Sequence, residues 1–281
     1  MPQVLTGAGA RIEYESIGED AGEPMLLIQG LGAQLLGWRV EFCQALAEQG
    51  FRVIRFDNRD VGRSSRYPDS QYTLAEMALD CVALLDALSI ERCHLVGQSM
   101  GGMIAQELVV AVPDRVSSLC LLYTAPNDRY FVSRPDPDVL ANAPRIGSRA
   151  EAGLAYLASQ QGCLSVGYPP DEAWLRELGG LMFDRGYHPD GAVRQCHAVL
   201  SAGDRSAQLA QVRLPTLVLH GDQDRKIHYS AARALADAIP GARCKILAGM
   251  GHELPRGLWP ELVADIASHA GSAAIRGCRA G

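Results

Sequence analysis

Short apolar runs and stretches with helical spacing take turns along this chain. Residues 10–17 alternate polar and apolar, the pattern of one strand of an N-terminal hairpin. Met25-Leu26-Leu27-Ile28 is unbroken apolar and ends at Gly30, as expected of a strand buried on both faces. Trp38 to Gln49 has helical spacing and stops at Gly50. Further strands are predicted over 51–56, from Cys93, and over 119–123, 216–220 and 244–247. Helices are predicted over 74–88, where Leu74, Met77, Ala78, Cys81, Leu84, Leu85 and Leu88 form one face, and over 102–112, 230–239 and 258–269. Strands alternating with helices predict an α/β architecture: a mostly parallel sheet of about eight strands with helices on both faces.

The rhythm breaks between about 126 and 208, a span far longer than the roughly 2–6 residues of an ordinary αβ connection. Pro135, Pro137, Pro144, Pro169 and Pro170 punctuate it, with helical stretches over 148–161, 171–183 and 191–200. The expected organisation is a core made of 1–125 and 209–281, with 126–208 inserted after the sixth strand as a small helical cap. The small, polar tail over 271–281 is expected to fray.

Composition narrows the class. A chain of 281 residues, 48% hydrophobic and 21% charged, fits one large domain or a core with an insertion. The net charge of −6 excludes a basic face for nucleic acid. No apolar stretch reaches the length of a membrane span, and Met1-Pro2-Gln3-Val4 opens no signal-like segment, so a cytoplasmic protein is expected. Eight cysteines are scattered without C-x-x-C pairs, and Cys81, Cys93, Cys120 and Cys244 fall in apolar segments. Buried reduced thiols in a reducing compartment are the expectation, over disulfides or a zinc site, and no metal is called for.

Chemistry enters at Gly97-Gln98-Ser99-Met100-Gly101, directly after the apolar run Cys93-His94-Leu95-Val96. A serine with glycine two residues away on each side, between a strand and a helix, resembles the nucleophile elbow of an α/β-hydrolase. The turn strains the serine backbone, and side chains at 97 and 101 would collide with neighbouring elements. An activated serine needs a base, and the base needs a carboxylate, arriving in the chain order Ser, acid, His on loops after later strands. Leu217-Val218-Leu219-His220-Gly221 leads into Asp222-Gln223-Asp224, and Lys245-Ile246-Leu247 leads into Ala248-Gly249-Met250-Gly251-His252. His252 is the one histidine on a loop after the last strand. His220 ends a strand and is expected to satisfy a local hydrogen bond. His94 reads as structural, and His188, His197 and His269 as cap or surface residues. Asp224 is favoured over Asp222 because it lies three residues past Gly221, beyond the turn; the other would stabilise that turn. The oxyanion donors expected are the backbone N–H groups of Met100 and of Leu31 in Gln29-Gly30-Leu31-Gly32.

Asp57 to Ser64 reads as a loop of charged groups bracing a turn near the elbow. Trp38, Met103, Met182, Phe183 and Met250 are pocket candidates, although apolar residues at helical spacing more often form core.

These motifs resemble bacterial serine esterases and lipases of the α/β-hydrolase superfamily, most of all the aclacinomycin methylesterase-like group. The resemblance is carried by Leu26 to Gly30 with Gly37-Trp38, by Arg52 to Ser64, by Gly97 to Gly102 and by Gly249 to Pro255. Gln29 departs from the His-Gly of many relatives, which alters how the loop is braced and leaves its main-chain donor in place. The resemblance implies a cofactor-free carboxylic-ester hydrolase acting on a small-molecule ester. Ser99 would be the nucleophile, His252 the base and Asp224 its partner. Hydrolysis of a carbon–carbon bond or an enol-lactone by the same three residues stays open, as does a small-molecule receptor that retains them.

Overall fold

In the computed structural model, which describes residues 1–7 and 9–277, the apolar runs pair into a single eight-stranded sheet. The strands are β1 (Gln3–Leu5), β2 (Arg11–Ile17), β3 (Glu23–Ile28), β4 (Phe51–Phe56), β5 (Cys93–Gln98), β6 (Val116–Leu122), β7 (Thr216–Gly221) and β8 (Arg243–Leu247). Their spatial order is β1-β2-β4-β3-β5-β6-β7-β8. The first two form the antiparallel hairpin, β2 pairs antiparallel with β4, and every later pairing is parallel.

The pleat sends successive side chains to opposite faces, so each unbroken apolar run feeds two cores. Leu26, Ile28, Leu95, Leu119, Leu121 and Val218 face one layer, packed by α2 (Leu74–Ala87), α3 (Met100–Ala111) and α9 (Ser230–Ala238). Met25, Leu27, Val96, Cys120, Leu122 and Leu219 face the other, packed by α1 (Val40–Ala47) and α10 (Trp259–Gly277). A capping box between Thr73 and Glu76 fixes the start of α2. Between β6 and β7 lie α4 (Pro137–Ala141), α5 (Arg149–Gln160), α6 (Glu172–Gly186), α7 (Pro189–Ser201) and α8 (Ser206–Leu209).

Three expectations need correction. Residues 271–277 continue α10 instead of fraying, and the rest of that tail lies outside the described residues. Cys244 is exposed, because β8 is an edge strand, whereas Cys43, Cys81, Cys93, Cys120 and Cys196 are buried. His269 is buried on the inner stripe of α10, where its Nε2 donates to the Leu119 carbonyl at 3.1 Å.

The Asp57–Ser64 loop ties the sheet to the helices that precede β7. Asp57 accepts from the Leu35 and Arg63 amides and pairs with Arg185 of α6 at 2.9 Å. Asp60 receives Arg194 of α7 through two bonds of 2.8 Å. Arg185 also pairs with the buried Glu13 at 3.0 Å.

Candidate active site

The strand β5 ends in a turn that leaves Ser99 at φ 54°, ψ −121°, a left-handed conformation costly for a residue with a side chain. The flanking sequence makes the turn possible. A Cβ at Gly97 would strike the Gly101 carbonyl, and one at Gly101 would strike the Ile28 carbonyl. The Ser99 amide donates to the Leu122 carbonyl at 3.0 Å, and the Thr124 hydroxyl donates to the Ser99 carbonyl at 2.7 Å. Both bonds fix the elbow against β6. Helix α3 starts at the next residue, so its N-terminal amides and positive dipole end lie beneath the serine.

The structure brings Ser99, Asp224 and His252 together. His252 Nε2 is 2.8 Å from Ser99 Oγ, and His252 Nδ1 is 2.7 Å from Asp224 Oδ2. The His252 amide donates to the Cys163 carbonyl at 2.8 Å, which anchors its loop to the segment after α5. The Tyr123 ring stands edge-on to the imidazole, with centroids 4.8 Å apart. With Nδ1–H donated to the carboxylate, Nε2 presents its lone pair to the serine hydroxyl.

Asp224 is almost fully occupied as an acceptor. Its Oδ1 takes the amides of Lys226 (2.7 Å) and Ile227 (3.0 Å), and its Oδ2 takes His252 and His220 Nε2 (3.0 Å). Burial alone would raise its pKa. Attraction to the His252 ring when it carries a proton on both nitrogens, with the hydrogen bonds from His220 and His252, outweighs that and holds it well below the ordinary carboxylate value. Asp222 instead accepts from the Gly249 amide at 2.7 Å, which ties its turn to the loop after β8.

Sequence reasoning gave His220 only a local bond. That bond goes to Asp224 itself, and a histidine four residues before the acid, at the end of the same strand, was the available signal.

Leu31 and Met100 both border the cavity above Ser99, and among the described residues neither amide has an acceptor. The cavity has a volume of about 1220 Å³, above the roughly 300–1,000 Å³ usual for small-molecule sites. Met103, Phe131, Leu178, Met182, Phe183 and Tyr187 give it an extensive apolar wall, mostly from the segment between β6 and β7. Of the five pocket candidates, Met103, Met182 and Phe183 line it, while Trp38 and Met250 are core. No group of three or more His, Cys, Asp or Glu among the described residues is arranged to hold a metal ion.

Residues 23–255 match the alpha/beta hydrolase fold family. The chain belongs to that family. It is a hydrolase, and its relatives bear out the likeness to the aclacinomycin methylesterase-like group. It is 32% identical to a rhodomycin D methylesterase of Streptomyces sp. (strain C5), over 97% of this chain and 99% of that protein. It is 34% identical to a Variovorax paradoxus protein named as a carbamate hydrolase, over 86% of this chain and 89% of that one. The enol-lactonase from Burkholderia xenovorans LB400 shares the fold with a TM-score of 0.80 at 24% identity, over 95% of this chain and 99% of that one. Among the described residues, no helix is long and apolar enough to cross a membrane.

Proposed function

We propose that this hydrolase cleaves a carboxylic ester through an acyl-enzyme on Ser99, and that its substrate is a methyl ester of a bulky, largely apolar acid. The observation that carries the reading is the unbroken relay from Ser99 Oγ through the His252 ring to Asp224, at 2.8 and 2.7 Å. In this reading His252 Nε2 takes the serine proton as Oγ attacks the acyl carbon. Asp224 holds the Nδ1–H tautomer and stabilises the imidazolium. The Leu31 and Met100 amides receive the oxyanion. His252 then protonates the departing alkoxide, and methanol leaves. Water, deprotonated by the same ring, attacks the acyl carbon and frees the acid from Ser99.

Two observations support the substrate class. The cavity is large and mostly apolar around the serine, which suits a bulky acyl group retained in the intermediate. The Streptomyces relative is named a methylesterase and spans nearly the whole chain. We assign residues 126–208 to a cap that shapes this cavity, with 1–125 and 209–281 as the catalytic core. The five buried cysteines fit reduced thiols and a cytoplasmic setting.

The test pairs p-nitrophenyl butyrate with a panel of methyl esters of increasing acyl bulk, following p-nitrophenol and methanol release. Ser99→Ala is expected to lose both activities while keeping the native circular dichroism spectrum. Undiminished turnover in that variant refutes the reading. Carbamate cleavage by the same attack is the second reading, favoured by the 34% identity to the Variovorax protein. Ammonia or amine release from carbamates, with methyl esters left intact, would select it.

A further inference from the structure

The loop that carries Leu31 is held by a side chain that the ester-cleavage scheme leaves without a task. Gln29 is 2% exposed and directly follows β3. Its Oε1 accepts from the Gly30 amide at 2.7 Å and from Gln98 Nε2. Gln98, the residue before the nucleophile, accepts in turn from the Tyr123 hydroxyl. Tyr123 is the residue whose ring meets the His252 imidazole. One chain of contacts thus joins the oxyanion loop, the elbow and the base.

The directions in this chain are forced. The Gly30 amide can only donate, so Gln29 presents Oε1 to it, and Gln98 must turn its NH₂ toward that same oxygen. Gln98 Oε1 then faces Tyr123, whose hydroxyl must donate, and Gln29 Nε2 is left buried without a partner among the described residues. That Nε2 occupies the space a side chain at 37 would fill, since a Cβ on Gly37 would strike it. A buried, unpaired amide is costly, and a residue kept at that cost is kept for its oxygen.

The oxygen sets the loop. The Gly30 amide is claimed by Gln29, and the Gly32 amide is claimed by Gln195 Oε1 of α7 at 2.7 Å. Leu31, between them, keeps an amide with no acceptor among the described residues. Two glutamines therefore pin the flanking peptides and leave the middle one for the substrate. Tyr123 is itself held at φ 35°, with its amide donating to the Leu219 carbonyl at 2.9 Å. Strain of this kind persists where surrounding structure over-determines a position.

We propose that Gln29 and Gln98 are positioning residues: anchored by the Tyr123 hydroxyl, they aim the Leu31 amide at the oxyanion formed on Ser99. The proposal rests on the serine-hydrolase reading, and its test separates the two.

Three variants are compared with wild type: Gln29→Met, which keeps bulk and loses the acceptor; Gln29→Glu, which keeps an acceptor for both donors; and Tyr123→Phe, which keeps the ring and loses the hydroxyl. The readouts are kcat, KM, the inhibition constant of a trifluoromethyl ketone, and labelling of Ser99 by a fluorophosphonate. The ketone forms a tetrahedral adduct whose oxygen needs the same amides. In Gln29→Met, kcat is expected to fall about 30-fold, part of the 10²–10³-fold cost of deleting an oxyanion donor. KM stays within about threefold, and ketone affinity weakens by the same factor as kcat/KM. Gln29→Glu should recover to within about fivefold of wild type, and Tyr123→Phe should lose about fivefold in kcat and in ketone affinity.

Unchanged ketone affinity in Gln29→Met, or equal losses in the Met and Glu variants, overturns the proposal. Should Gln29→Met fail to fold, Tyr123→Phe decides: unchanged ketone affinity there overturns it as well. Wild-type protein that takes no label at Ser99 overturns the serine-hydrolase reading, and the positioning role with it. A labelled Ser99 with unchanged ketone affinity in the variants overturns the positioning role alone.

Discussion

Replacing Asp224 with Asn keeps the side chain's shape and removes its capacity to accept on both oxygens. The present carboxylate receives two backbone amides on Oδ1 and two histidines on Oδ2. An Asn oxygen placed at Oδ1 retains the Lys226 and Ile227 amides, and its NH₂ then faces two ring nitrogens that now donate. His252 can avoid that clash by moving its proton from Nδ1 to Nε2. In that tautomer it points an N–H at Ser99 and no longer serves as a base. A carboxylate-to-amide change at this role lowers kcat about 10⁴-fold in serine proteases, equivalent to about 5.4 kcal/mol of lost transition-state stabilisation. Asp224 does not border the cavity, so KM should stay within about threefold. The assay is p-nitrophenyl butyrate hydrolysis from pH 6 to 9, with circular dichroism to confirm folding. Asp222→Asn is the matched control, since Asp222 only caps the Gly249 turn. A loss below tenfold in Asp224→Asn, or a larger loss in Asp222→Asn, would refute the relay.

Further predictions concern the scaffold and its response to acid. Gly101→Ala should abolish activity and lower Tm by several degrees, because the added methyl strikes the Ile28 carbonyl across the elbow; thermal melts and activity together check it. Arg185→Met strips the buried cation from Asp57 and leaves Glu13 only the half-exposed Arg63 at 3.6 Å; with the two carboxylates 0% and 1% exposed, it should destabilise the protein by about 3–5 kcal/mol in urea titrations. His269 is held down to about 4 from 6.5, first by burial and further by Arg243, so its neutral form favours the folded state. That stability is complete above pH 6.5 and is lost as pH falls through 4, amounting to ~3 kcal/mol. His269→Gln should flatten part of the decline in urea midpoint between pH 6.5 and 4. The contribution of Asp224, whose folded pKa is depressed, is present above 3.8 and falls away only below that pH, so the two are separable.

What the sequence made legible, and what it hid, follows from how far apart the deciding contacts lie. A parallel sheet buried on both faces writes itself as unbroken apolar runs, which is why Leu26-Leu27-Ile28 and Leu217-Val218-Leu219 could be placed from the chain alone. The meeting of Ser99, Asp224 and His252 was readable because each sits on a short turn directly after such a run, and the fold brings those strand ends to one edge. His269 lies seven residues after Leu262 and three after Ile266, so spacing puts it on the inner stripe of its helix, while its polar type argues for the surface. Its burial rests on partners far along the chain, the Leu119 carbonyl 150 positions away and the Arg243 guanidinium 26 positions away. Gln29 was visible as a departure from His-Gly, yet its meaning depends on Gln98, Tyr123 and Gln195, which lie on β5, just after β6 and on α7. No local pattern announces that such side chains will meet. The same holds for Arg185, whose two carboxylate partners lie 172 and 128 residues away. Periodicity specifies each element's inner face, and turn chemistry specifies where reactive groups are raised. The polar contacts that aim those groups are chosen by packing between elements, and they become readable only when the elements are assembled.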